Sequence, residues 1–84
     1  MTALAPAPEI TMFAGLVGRP LQPFVDWIDT ERPDITHIDE VNLDEGEEPT
    51  PCENLPPRSK KIVIYYTVVN GLETIDEIPY IVQC

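Results

Sequence analysis

Asn70-Gly71, set between two apolar runs, constrains this chain more than any other feature. Lys61 to Val69 reads Lys-Ile-Val-Ile-Tyr-Tyr-Thr-Val-Val, rich in the β-branched and aromatic residues that strands favour. Asn-Gly suits a type I′ turn, whose two central residues both need positive φ. The partner strand follows at once, Leu72-Glu73-Thr74-Ile75-Asp76-Glu77-Ile78. The prediction is a β-hairpin, 61–69 with 72–78, and a hairpin names no chemistry.

A two-residue turn sets the register. Val69 pairs with Leu72, Val68 with Glu73, Thr67 with Thr74 and Tyr66 with Ile75. Continued without a break, it pairs Tyr65 with Asp76, Ile64 with Glu77 and Val63 with Ile78. The first strand is apolar on both faces, so it belongs inside a sheet. The second is interrupted by acids and reads as an edge. Pro79 then falls opposite Ile62, where an edge strand loses nothing by its missing N–H.

Eighty-four residues make one small domain, near the lower limit for an independent core. Ten Pro against four Gly favour extended segments. The formal charge is −10, and its placement matters more than its size. From Asp26 to Glu53 stand eleven acids and one Arg, so this stretch carries the whole imbalance. Nucleic-acid binding through phosphates needs Lys and Arg and is excluded as an expectation. A basic protein surface is the better partner. No apolar run approaches membrane-spanning length, so no membrane is expected. The N-terminus Met-Thr-Ala-Leu-Ala-Pro lacks the basic region and apolar core of a signal peptide, which reads as synthesis in a cytosol.

Residues 1–20 read as an extended arm. Pro6 and Pro8 push Ala5 and Ala7 away from helix. Ile10 to Gly18 is apolar, short for a helix and weakened by Gly15 and Gly18, so a buried strand or inserted arm fits better. Met12, Phe13, Leu16 and Val17 could face a partner; packing on the chain's own hairpin is the favoured use. In residues 21–43, Phe24 with Trp27 and Val25 with Ile28 are spaced for a short helix near 23–29, with Pro23 at its first position. Trp27, the only Trp, fits an interface anchor or, more commonly, a core residue. Asp34 to Leu43 alternates poorly and reads as a bulged strand or loop.

Residues 44–60 form an acidic, Pro-rich loop, solvated if alone. Glu40 to Gly46 resembles the start of an EF-hand loop, but Glu45 stands where the Gly is required and Pro51 where the bidentate Glu should be. Asp44, Glu45, Glu47 and Glu48 are therefore read as partner-facing charge and not as metal ligands. Leu55-Pro56-Pro57-Arg58 is a stiff connector in preference to an SH3-type ligand. His37 is the only His, with Asp39 and Glu40 beside it, and an ordinary histidine is favoured over a proton relay. Cys52 and Cys84 form no CxxC motif. A bridge between them is possible, but an intracellular origin would keep both reduced. No phosphate loop and no nucleophile motif is present.

These readings converge on a mainly β fold. A small antiparallel sheet is built on the C-terminal hairpin in 61–84, with an extended arm, an acidic loop and one short helix. No cofactor, metal or catalytic residue is expected. The expected function is a non-enzymatic accessory subunit of a larger assembly, such as a cement, decoration or head–tail component of a viral capsid. It would meet protein subunits with basic patches and could form a homo-oligomer. The alternative is a small acidic inhibitor that fills a basic groove, imitating nucleic-acid phosphate.

Overall fold

The computed structural model describes residues 13–84. Its elements are helix α1 (Leu21–Glu31), β1 (His37–Asn42), 3₁₀ turns at Leu43–Glu45 and Cys52–Asn54, β2 (Lys60–Val69), β3 (Leu72–Ile75) and β4 (Tyr80–Gln83). The fold is mainly β. Strand β2 is central, with β1 on one side and β3 and β4 following each other along the other.

The hairpin turn is as expected: Asn70 and Gly71 have φ of 52° and 79°. Pairs Val69–Leu72, Val68–Glu73, Thr67–Thr74 and Tyr66–Ile75 also hold. Beyond them the expected register fails. Asp76 N–H still donates to the Tyr65 carbonyl (2.9 Å), and the chain then leaves β2 through residues 76–79. It rejoins two residues late, with Tyr80 opposite Val63 and Ile81 opposite Ile62. The reason lies in the acids. An unbroken register would set Glu77 opposite Ile64, on the buried face, where a carboxylate costs several kcal/mol. The bulge leaves Asp76 and Glu77 exposed, buries Pro79 in place of its expected edge position, and puts Ile81 beside the core.

The sheet is mixed, not wholly antiparallel as expected, because β1 runs parallel to β2 with His37 opposite Lys61 and Asn42 opposite Tyr66. A parallel pair needs a crossover of about a dozen residues or more. Residues 43–59 supply it without a helix.

Helix α1 is longer than the 23–29 expected. Leu21, Phe24, Val25 and Ile28 form its buried stripe, at i, i+3, i+4 and i+7. Pro20 is the N-cap, so Pro23 stands third in the helix and not first; an N–H there has no intrahelical partner in any case. Arg32 N–H closes the end on Ile28 (2.9 Å), and Pro33 stops the helix. The stripe packs on Ile62, Ile64, Tyr66 and Ile75, joined by Phe13 and Ile35. Each such side chain stabilises by about 1.5–3 kcal/mol.

Where a strand or inserted arm was expected, Phe13 and Ala14 are helical, residues 15–18 form turns and Pro20 bridges to Thr74. Leu16 N–H bonds the Phe13 carbonyl (3.0 Å) and Arg19 N–H that of Leu16 (2.9 Å). Gly18 N–H then donates to the Ile75 carbonyl (2.8 Å) and Ile75 N–H to that of Arg19 (2.9 Å), covering the outer edge of β3.

Candidate partner-binding surfaces

The second face of the sheet is covered by the acidic loop, which is not a free solvated segment. Alternation along the strands places Asp39, Val41, Lys61 and Val63 opposite the helix side. All four are buried, and Val41 and Val63 lie outside the helix-side cluster. Thr50 fastens the loop there. Its N–H donates to Asp39 Oδ2 (2.6 Å), and its carbonyl accepts from Lys61 Nζ. Lys61 Nζ also lies 3.3 Å from Asp39 Oδ2. Past Thr50, Cys52 is disulfide-bonded to Cys84, with Cα atoms 5.4 Å apart. Of the two states left open, the bridge that an intracellular origin disfavoured is the one present. Pairing of Lys60 with Gln83, and Cys84 N–H on the Ser59 carbonyl (2.8 Å), bring the end of β4 to the loop.

The four acids assigned to a partner divide into two kinds. Asp44 Oδ2 accepts from the Val68 N–H (3.0 Å), where β2 runs past the end of β1 and has no strand partner on that side among the described residues. Glu47 Oε1 accepts from the Asn42 N–H (3.0 Å). Glu45 and Glu48 are exposed and make no hydrogen bond or ion pair among the described residues. Gly46, with φ of 70°, ends the 3₁₀ turn.

The apolar residues assigned to a partner also divide. Phe13 is 3 % exposed and packs in the core, as the favoured reading had it, with its ring edge-on to Phe24 at 5.6 Å. Leu16 is half-buried and Val17 exposed. Trp27 is 37 % exposed and stacks on Phe24 (6.1 Å) at the lip of the core instead of inside it. Phe13, Leu16, Pro20, Pro23, Phe24 and Trp27, with Arg19, line a cleft of about 500 Å³ between the 13–20 turns and α1. Met12 lies outside the described residues.

A surface that the sequence reading did not single out lies on the loop side of the hairpin. The loop stops short of it. Val69 and Leu72, a cross-strand pair, are 50 % and 53 % exposed. The same face continues through Thr67 and Thr74 to Tyr65 and Tyr80, whose hydroxyls are 3.1 Å apart. That hydrogen bond, with burial, pushes the Tyr80 hydroxyl up to about 12, so Tyr80 stays neutral. Ile78, expelled with the bulge, is exposed beside it. The signal was present: Val69 and Leu72 flank the turn, and both are exposed. The rim is acidic, with Asp44 and Glu45 toward the tip and Asp76 and Glu77 along the edge.

His37 lies on the same face as Asp39, but the Asp39 carboxylate is taken by Thr50 and Lys61, and Glu40 points to the other face. Nε2 of His37 is enclosed without a hydrogen-bond partner among the described residues. Among the described residues no group of three or more His, Cys, Asp or Glu is placed to hold a metal, and no helix is long and apolar enough to cross a membrane. No family model, no curated protein and no solved structure matches the chain.

Proposed function

We propose that this protein is a non-enzymatic accessory subunit that docks on a larger protein assembly, of the kind formed by cement or head–tail subunits of a viral capsid. The observation that carries the reading is the half of the sheet face that the loop leaves open: a stripe from the exposed Val69 and Leu72 to Tyr80, bordered by the exposed acids Asp44, Glu45, Asp76 and Glu77. Exposed β-branched and aromatic groups on a rigid sheet release water when a partner covers them. The acidic border selects a partner with basic residues around an apolar centre, and repels nucleic acid. Repetition of one modest contact over an array of sites supplies avidity.

The acidic-inhibitor reading gains from one observation. Its charges were expected on a floppy loop, and the loop is held by Thr50 and by the Cys52–Cys84 bond. Glu45 and Glu48 thus keep a set spacing.

A photo-crosslinking amino acid at position 72, with one at position 22 on the exposed side of α1 as control, tests both readings in the producing cell. An accessory subunit crosslinks from position 72 to one repeated protein in a high-mass fraction. An inhibitor gives a soluble one-to-one adduct through the loop. Equal labelling from both positions would refute a docking role for the sheet face.

A further inference from the structure

We infer that Tyr65 and Tyr80 form an oxidative cross-linking site, at which a one-electron oxidant joins the two rings into dityrosine within one chain. The inference concerns the covalent chemistry of the pair and does not depend on what the sheet face docks to. The bulge creates the pair. In an unbroken register Tyr80 would stand opposite Lys61; the two-residue slip sets it opposite Val63 instead. Tyr65 is then its diagonal neighbour on the same face, a separation that aromatic side chains reach across. The rings lean together, with hydroxyls 3.1 Å apart, centroids 6.2 Å apart and planes at 37°.

The chemistry asks for that arrangement. Loss of one electron and one proton from each phenol leaves two phenoxyl radicals, whose unpaired spin is shared with the ring carbons beside the hydroxyl. One such carbon from each ring forms the new C–C bond. The hydrogens on those two carbons leave as protons while the two oxygens take protons up, which restores both phenols. In sum two electrons and two protons leave the pair, and hydrogen peroxide accepts them as it is reduced to two waters. In the product both hydroxyls flank the new bond side by side, as they already stand here. The rings must close from 6.2 Å, and Tyr80, 42 % exposed, has room to do so by side-chain rotation. Competing sinks for the oxidant are set apart. Both cysteines are in the disulfide, and Trp27 belongs to α1 on the other side of the sheet. Radicals held in one chain meet at an effective concentration above any between chains.

Hydrogen peroxide with a haem peroxidase, added to the purified chain, tests this. The expected product is a monomer lighter by two hydrogens, with the blue fluorescence of a biphenol and a peptide link between positions 65 and 80. Its rate per chain should stay constant over about a tenfold range of protein concentration. Tyr65→Phe and Tyr80→Phe should each abolish the intramolecular product, and Tyr66→Phe, on the buried side, should keep it. Tyr80→Phe/Val82→Tyr keeps three tyrosines but moves one phenol to the place opposite Lys61, and should slow the coupling about tenfold or more. Cross-linked dimers that form in preference to the monomeric product overturn the inference. So does an unaltered chain in a mixture that converts free tyrosine to dityrosine.

Discussion

Asp39 and Lys61 form an ion pair across two parallel strands, Oδ2 to Nζ 3.3 Å, with side chains 8 % and 5 % exposed. Both belong to the face that the acidic loop covers, and Thr50 of that loop bonds to each. The pair is therefore the hook on which the loop hangs. A buried pair of this kind owes its stability to being complete: removing one partner strands the other charge in the interior.

Lys61→Met should accordingly cost about 3–5 kcal/mol, and Asp39→Leu a similar amount. The double substitution should cost less than the two singles added, by about 2 kcal/mol, since it strands no charge. Urea unfolding of the four proteins measures this. Additive losses would show that the two groups are not coupled.

The disulfide closes a sequence separation of 32 residues. Chain-entropy reasoning gives about 3–4 kcal/mol for a loop of that size. Cys52→Ser/Cys84→Ser, and the wild type under reductant, should both lose about that amount. The Thr50 amide should lose hydrogen-exchange protection first, while Ile62 and Ile64 keep theirs until global unfolding. A midpoint unchanged by reductant would show that the loop is held without the bond.

Asp44 and Glu45 look alike in sequence and differ in the structure. Asp44→Ala removes the acceptor of the Val68 N–H and should cost about 1–2 kcal/mol, with faster exchange at Val68. Glu45→Ala should change stability by less than about 0.5 kcal/mol. If the two variants melt alike, the Asp44 contact contributes nothing to stability.

The contrast marks what could be read in advance. Asn70-Gly71, the central place of β2 and the acid-broken edge strand follow from local pattern, and local pattern is visible. Strand β1 was obscured because Asp39 takes an inward position, and its burial depends on Lys61, 22 residues later. The bulge was hidden for a similar reason: a register counted from the turn assumes that every later residue tolerates its face, and Glu77 does not. The Cys52–Cys84 bond leaves no local trace at all; it follows from β4 returning the C-terminus to the crossover. Of the surfaces, the sequence marked the residues of the α1 cleft, Leu16 and Trp27. The hairpin stripe emerged only when the loop was seen to end short of it.

Two carboxyls give the stability a pH dependence of opposite signs. Burial, reinforced by Glu73 and Asp29, raises the Glu40 carboxyl above its ordinary value. The folded state then holds this proton more tightly than the unfolded one, so ionising Glu40 costs stability. That penalty is complete above the raised folded value and absent below the ordinary value of about 4.3. Asp34 runs the other way. The Arg32 guanidinium, bonded at 3.0 Å, and Lys60 at 3.3 Å hold its carboxyl well below the carboxylate range. Its contribution is present above about pH 3.9 and is lost as pH falls from there toward the lowered value. Glu40→Gln should therefore raise the thermal midpoint at pH 7 and match the wild type below about pH 4. Asp34→Asn should lower the midpoint at pH 7, modestly because the pair is solvent-screened, and the deficit should shrink steadily in strong acid. Melting curves followed by circular dichroism from pH 7 to pH 2 measure both, and a Glu40→Gln gain that persisted unchanged into acid would refute the assignment of that penalty to the Glu40 charge.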